Sequence, residues 1–317
     1  MNMMIEENNR VEREIQLSSD SYSIEFWNKF ARGIQPAEDK ISVGKTKNGM
    51  YDLPMDSSRE YQAAIKKESF FRNNATCVDA PRFDNTIWAS DSTDLAEWVK
   101  EGEKMPITCA EDDFQKKPIN CNKLAAFTTL NNDFVSDIGF NVKKYLISRF
   151  ADGFNRAEEN AFINGSGDGM PIGILHDTDG AEVGVTTKDI TFDDVINLYT
   201  SAKAKYRKKG VWMMNDETAL ALRKLKDADG NYIWNHNTDT ILGRPVYISE
   251  FMPDAELGKK PIAFGDLSFY WIVNRSGVMV KTLREKFFVE QKTGYLAQEF
   301  LDARLIRPEA IKVIEMV

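Results

Sequence analysis

His176 and His236 are the only histidines among 317 residues, so Ser–His–Asp or Cys–His chemistry would have to be built around one of them. Neither lies in a nucleophile motif, and both read as loop histidines. Cys77, Cys109 and Cys121 form an odd, sparse set without metal-type spacing, which reads as reduced thiols rather than a disulfide framework. His176-Asp177-Thr178-Asp179-Gly180 and Asp227-Ala228-Asp229-Gly230 resemble the start of a calcium loop. Setting each glycine at loop position six puts Leu175 or Leu225 at position one, where a carboxylate is required; both stretches read as polar turns. Glu101, Glu103, Glu111, Asp112 and Asp113 cluster, but paired carboxylates do acid–base work only in a cleft that shifts one pKa. In a polar segment they read as solvated. Gly165-Ser166-Gly167-Asp168-Gly169 could pass for a phosphate cradle, yet such a loop must follow a strand and open a helix. This one follows a helical pattern, and Met170 stands where the third glycine would fall. The expectation is therefore no catalytic residue, no cofactor and no metal site; the glycines read as positions free to take positive φ where the chain leaves a helix.

The elements that would carry such groups are more informative. A hydrophobic content of 42% and 28% charged residues suit one large or two ordinary folded domains. The net charge of −8 argues against a protein that condenses nucleic acid by neutralising phosphates. No apolar run approaches the ~20 residues that span a bilayer, and the acidic start lacks the pattern of a signal peptide.

Ser23–Ile34 has helical spacing of apolar residues, followed by Gly/Lys/Asp/Pro-rich sequence to about Met55 and a second helical stretch over 57–72. Residues 78–122 are long, polar and broken, with Trp88 and Trp98 among short strand-like pieces at Thr86–Ala89, Ala96–Val99 and Ile119–Cys121. So long a polar stretch is uncommon inside a compact domain; it suggests a projecting hairpin whose partner is another molecule. Apolar residues from Phe134 to Ala161 recur in threes and fours, predicting one helix over Asn132–Ile163, ~48 Å long at 1.5 Å per residue; a break at Gly153 is the alternative. Further helices are expected at Thr191–Lys208 and Asn215–Leu225. Strands are expected at Pro245–Ser249, Pro261–Phe264, Ser268–Val273, Gly277–Leu283, Phe287–Gln291, Tyr295–Ile306 and Ala310–Met316. Asn274–Gly277 reads as a hairpin turn.

Several segments, in order, resemble the major capsid proteins of tailed bacteriophages and prophages with the Hong Kong 97-type fold. They are Asn48-Gly-Met-Tyr-Asp-Leu-Pro54, Ala96-Glu-Trp-Val-Lys-Glu-Gly102 with Pro106, and the long helix running into Ala161-Phe-Ile-Asn-Gly165 with Pro171-Ile-Gly-Ile-Leu175. Leu225–Tyr232, Leu242-Gly-Arg-Pro-Val246 with Met252-Pro253, Gly265–Ser268 and Arg304–Ala310 complete the set, covering about 45–312. The resemblance implies an α+β fold in parts: an N-terminal segment and arm (1–66, the arm proper from about 35), a peripheral domain (67–83, 122–164 with the spine helix, and 285–302), an extended loop (84–121) and an axial domain (165–284 and 303–317). It implies a structural, non-enzymatic virion protein that self-assembles as pentamers and hexamers into an icosahedral shell around double-stranded DNA, without sequence-specific binding. The implied partners are copies of itself, a scaffolding protein or prohead protease, and a portal; assembly would be in the bacterial host cytoplasm, with no membrane involved.

Two departures from the family pattern matter. Members often begin with a scaffolding segment that is cleaved off, and Phe26-Trp-Asn-Lys-Phe30 looks like the tail of one. Either scaffolding is a separate protein or the sequence begins late; any maturation cut is expected between Ile34 and Asn48. Some members cross-link through a Lys–Asn isopeptide bond assisted by a glutamate. By resemblance the lysine region holds Lys104, the asparagine place falls near Gln291 and the glutamate place near Gln298 or Glu299. With asparagine missing, no cross-link is expected. The alternatives are an encapsulin-type bacterial compartment of the same fold and, more remotely, a soluble α/β hydrolase or transferase.

Overall fold

The computed structural model describes residues 11–34, 36–80, 86–90, 100–102, 114–226, 230, 232, 234–235 and 239–317. Along the chain the helices include α1 (Asp20–Glu25), continued by a π-helical turn over Phe26–Phe30, α2 (Met55–Glu68), α3 (Phe70–Asn74), α4 (Asn132–Ser136), α5 (Val142–Asn164), α6 (Phe192–Ser201) and α7 (Asp216–Lys224), with single turns at Glu38–Ile41 and Ala204–Arg207. The strands are β1 (Tyr51–Asp52), β2 (Thr76–Asp79), β3 (Thr86–Ser90), β4 (Phe114–Pro118), β5 (Asn122–Asn131), β6 (Glu182–Thr187) and β7 (Val211–Met214). They continue with β8 (Trp234–Asn235), β9 (Thr240–Ile241), β10 (Arg244–Ile248), β11 (Ile262–Gly265), β12 (Tyr270–Leu283), β13 (Lys292–Leu305) and β14 (Ile311–Met316).

Two sheets organise the body. One has the order β1-β12-β13-β5 with β2 also on β12; the other runs β6-β14-β11-β7-β10-β9-β8. The first packs beneath α5, whose Leu146, Ile147, Phe150 and Phe154 meet Val280, Tyr295 and Ala297 in one core. Residues 17–31 belong to that core as well, through Leu17, Tyr22, Phe26, Phe30 and Ala31. Polar clasps hold this segment: the Tyr22 hydroxyl donates to the Asp52 carbonyl at 2.6 Å, the Tyr295 hydroxyl to the Ala31 carbonyl at 2.6 Å, and Arg32 Nη1 to the Val135 carbonyl at 2.6 Å. Burying aromatic side chains of this size contributes roughly 1.5–3 kcal/mol each, so the segment is a wall of the subunit rather than a loose tail.

Five expected elements differ. The helix expected over Thr191–Lys208 ends at Ser201, where Ala202 turns extended before a separate turn at Ala204–Arg207, and the strand-like piece Ile119–Cys121 lies between strands rather than in one. The helix expected over Asn132–Ile163 is split, and not at Gly153, which lies inside α5. The break is at 137–141: the Asp137 carboxylate accepts the Gly139 N–H at 2.8 Å, and Asn141 caps α5 by accepting the Lys144 N–H at 2.9 Å. Side-chain bonding to nearby backbone favours a turn over continued helix. The turn expected at Asn274–Gly277 is a pair of register shifts inside one strand, β12, between Asn274/Ser276 and Ser276/Met279. Bulges bend a strand without ending it, and here the bend lets β2 and β1 pair with successive stretches of β12. The strand expected at Phe287–Gln291 is a tight turn: Glu285–Phe287 forms a 3-10 turn and Gln291 takes φ 52° before β13 begins.

In the second sheet β7, β10 and β14 point the same way and β11 runs against them. Thr191 caps α6 in a full capping box with Asp194, and the Asn215 side chain accepts the Thr218 N–H at 2.8 Å to cap α7. Trp212, Met214, Leu222, Trp234 and Phe264 form the core beneath.

Candidate assembly surfaces

The residues that could have done chemistry are not brought together. His176 closes a local turn, its Nδ1 lying 3.2 Å from the Asp179 N–H, and Asp177 is held below the usual carboxylate range by its 2.6 Å bond from Lys260 Nζ. Cys77 and Cys121 are free thiols, and Glu101 is exposed. Among the described residues no group of three His, Cys, Asp or Glu could hold a metal ion, and no helix is long and apolar enough to cross a membrane. Gly167 and Gly169 take φ of 80° and 67°, the left-handed conformation glycine permits after a helix. The strand-like piece at Ala96–Val99, with Trp98, lies outside the described residues, as do Lys104, Cys109, Glu103, Glu111, Asp112, Asp113, Asp227–Asp229 and His236.

The stretch expected to form a hairpin contains a two-stranded ribbon. β3 and β4 pair antiparallel from Thr86↔Pro118 to Ser90↔Phe114, and neither pairs with a third strand among the described residues. A two-stranded ribbon is marginal alone in water, so its root has to be fixed by the body. Arg304 Nη1 donates to the Pro118 carbonyl at 2.7 Å, and Arg275 Nη2 reaches the carbonyl of buried Ile119 at 3.4 Å. The Asp302 carboxylate accepts the Asn120 N–H at 2.7 Å and Asn122 Nδ2 at 3.0 Å. Burial pushes the Asp302 carboxyl up, and the backbone N–H donors oppose that shift.

A buried charged cluster ties the long helix to the sheet. Arg72 Nε donates to Glu158 Oε2 at 2.7 Å and Nη2 donates to Oε1, a two-point ion pair. Tyr61 donates its hydroxyl to Glu299 Oε2 at 3.0 Å. Burial, then the nearby Glu158 charge, raises Glu299 well above the ordinary glutamate range, so it holds its proton where exposed carboxyls have lost theirs. Sequence reasoning did not single out this cluster, although a signal existed. Glu158 lies four residues from both Phe154 and Phe162 in the apolar stripe of α5, and Glu299 shares the inward face of β13 with Tyr295, Ala297 and Leu301.

Large apolar side chains face solvent in this half. Phe288 and Val289 at the tip of the β12–β13 turn are 80% and 95% exposed, and Ile138 between α4 and α5 is 94% exposed. The turn is anchored to the start of α4 by the Asn132 N–H to Gln291 carbonyl bond at 2.9 Å, while Phe127 stacks on Phe287. Grouped apolar exposure of this kind marks an interaction surface.

A ribbon that pairs with no third strand among the described residues, together with exposed apolar side chains at the β12–β13 turn, leaves surfaces suited to contacts with other molecules. The comparisons agree. The model of the phage capsid family matches residues 49–316, and the chain belongs to that family. A capsid polyprotein of Pseudomonas phage PAJU2 is 25% identical over 190 residues, 57% of this chain but 28% of the polyprotein, so the chain spans little more than a quarter of that relative. The capsid of a native GTA particle, solved with C5 symmetry, superposes with a TM-score of 0.62 at 27% identity, covering 78% of this chain and 89% of that one. A chain of the solved structure of Microbacterium phage Oxtober96 (TM-score 0.54, 15% identity, 78% and 91% covered) shares the fold. The chain is thus a major capsid protein of the Hong Kong 97-type fold, a virion component that forms a phage shell, and the bacterial-compartment alternative is not favoured.

Proposed function

We propose that this subunit assembles as pentamers and hexamers into an icosahedral head that encloses double-stranded DNA, in the host cytoplasm, and that it catalyses no reaction. The observation that carries the reading is the ribbon β3–β4, anchored at its root by Asp302, Arg304 and Arg275 but lacking a third strand among the described residues. Closed symmetry lets many such modest contacts sum to a stable container. The division into arm, extended loop (84–121), peripheral and axial domains belongs to this proposal, as do a scaffolding protein or prohead protease and a portal as partners. A maturation cut between Ile34 and Asn48 would leave residues 11–34 held by their core contacts. Electron microscopy of the purified chain tests the proposal: rings, sheets or closed shells are expected, and a monodisperse monomer at high concentration would overturn it.

A further inference from the structure

The second sheet has oppositely charged ends. At the end where β7, β10 and β14 begin, the connection Lys203-Ala-Lys-Tyr-Arg-Lys-Lys209, which contains the short helical turn Ala204–Arg207, carries five basic residues in seven and no acid. The loop is rigidly seated. Tyr206 is buried and donates its hydroxyl to Glu309 at 2.8 Å, while Arg244 Nη1 donates to the Lys208 carbonyl at 2.8 Å. A Cβ on Gly210 would lie 2.5 Å from the Phe264 ring, so the backbone is pressed onto the core. Lys203 pairs with Glu309 at 3.2 Å, and Arg207 lies over the Tyr199 ring. Lys208 and Lys209 stand exposed with no ion pair among the described residues. Arg244 opens β10 and Arg307 precedes β14, which adds cations to the same end.

At the opposite end, where β7 and β10 finish, Asp216 and Glu217 open α7 and Asp254 and Glu256 follow β10, all four exposed. Glu217, Asp254 and Glu256 line a cleft of about 330 Å³ whose apolar side is Ile190, Leu222 and Leu225. None of the four acids has an ion pair among the described residues, and Leu257 beside them is 73% exposed. Lys188 and Lys259 also lie at this end, and the acids outnumber them.

Two different, complementary patches on one chain generate head-to-tail contacts, which close into a ring where the rotation between copies closes. A polyanion is the other possible guest of the basic end, but the chain as a whole carries −8 and would repel it, whereas a second copy brings an acidic end of matching chemistry. We propose that the 203–209 loop of one copy seats against the Glu217–Asp254–Glu256 cleft of the next copy around a ring. The pairing rests on the ring-forming reading above and supplies its side-by-side contact.

Charge exchange tests it. Lys208→Glu/Lys209→Glu and, separately, Glu217→Lys/Glu256→Lys are each expected to raise the protein concentration needed for assembly by ~10-fold or more near 0.15 M salt, since like charges facing across an interface are strongly unfavourable. The defect shrinks at high salt, where exposed charges are screened. The chain carrying all four changes restores the contact with reversed polarity and assembles near the unaltered level. Thermal melts of all three, unchanged from the parent, keep folding out of the comparison. The pairing is overturned if either double variant assembles normally, if the fourfold variant is no better than the doubles, or if the basic end binds a short DNA duplex while its reversal leaves assembly intact. Failure of the parent chain to form any ring or shell would instead contradict the shell reading, and the pairing with it.

Discussion

Arg72 and Glu158 face each other in a buried two-point ion pair that joins α3 to the C-terminal third of α5. Removing one partner leaves the other charge buried and uncompensated. Glu158→Ala is expected to cost about 3–5 kcal/mol of subunit stability, while Arg72→Met/Glu158→Leu together costs much less, because an apolar pair of similar volume avoids the desolvation penalty. Denaturant unfolding of dissociated subunits reads both; equal losses in the single and double variants would contradict the assignment.

Glu299 makes stability depend on pH. Its carboxyl is raised in the folded chain, so the folded state keeps a proton that the unfolded state has released. The contribution is fully present below the ordinary glutamate pKa and is lost as pH rises through the folded value. Glu299→Gln should flatten that fall, and stability profiles of the two proteins from acid to mildly alkaline pH give the comparison.

Asp302 holds the ribbon root. In Asp302→Ala the Asn120 N–H and the Asn122 side chain lose their shared acceptor, at a cost of about 1 kcal/mol for part-buried hydrogen bonds that water can partly replace. The expected sign is faster protease cleavage within residues 80–120 and weaker assembly, with cleavage elsewhere unchanged.

Phe288 and Val289 protrude from the β12–β13 turn with no packing role inside the subunit. Phe288→Asp/Val289→Asp should alter subunit stability by no more than ~0.5 kcal/mol per site while blocking assembly. Normal shells from this variant would remove the turn from the contact surface.

Gln291 takes a left-handed turn position, and with glutamine rather than asparagine there, no inter-subunit cross-link is predicted. Assembled particles boiled in denaturant should run as single subunits on a gel; a ladder of multimers would show a covalent bond.

Legibility in the sequence followed the physics of each element. α6 and α7 were readable because Thr191 and Asn215 announce their own helix starts. The resemblance segments located the glycine exit after α5, whereas β12 was read as two strands, Ser268–Val273 and Gly277–Leu283. β7 was not readable: Val211-Trp-Met-Met214 is buried on both faces and carries no alternation. β5 alternates in burial, but Phe127 on its exposed face disguises the period. The bulge at Asn274–Gly277 uses turn residues for a bend that only the partner strands reveal. Phe26 and Phe30 resembled a removable segment, and their burial against α5 depends on contacts more than a hundred residues away. The candidate surfaces were legible as an oddity of polarity in 78–122; the residues that root the ribbon, Asp302 and Arg304, gave no sign of that role.

A reconstruction of the assembled particle by electron cryomicroscopy, tracing residues 86–118, tests the central claim most directly. The ribbon should leave its root at Asp302 and Arg304 and lie across a neighbouring copy in a closed shell. A ribbon folded onto its own subunit, in a particle that is not a shell, would contradict it.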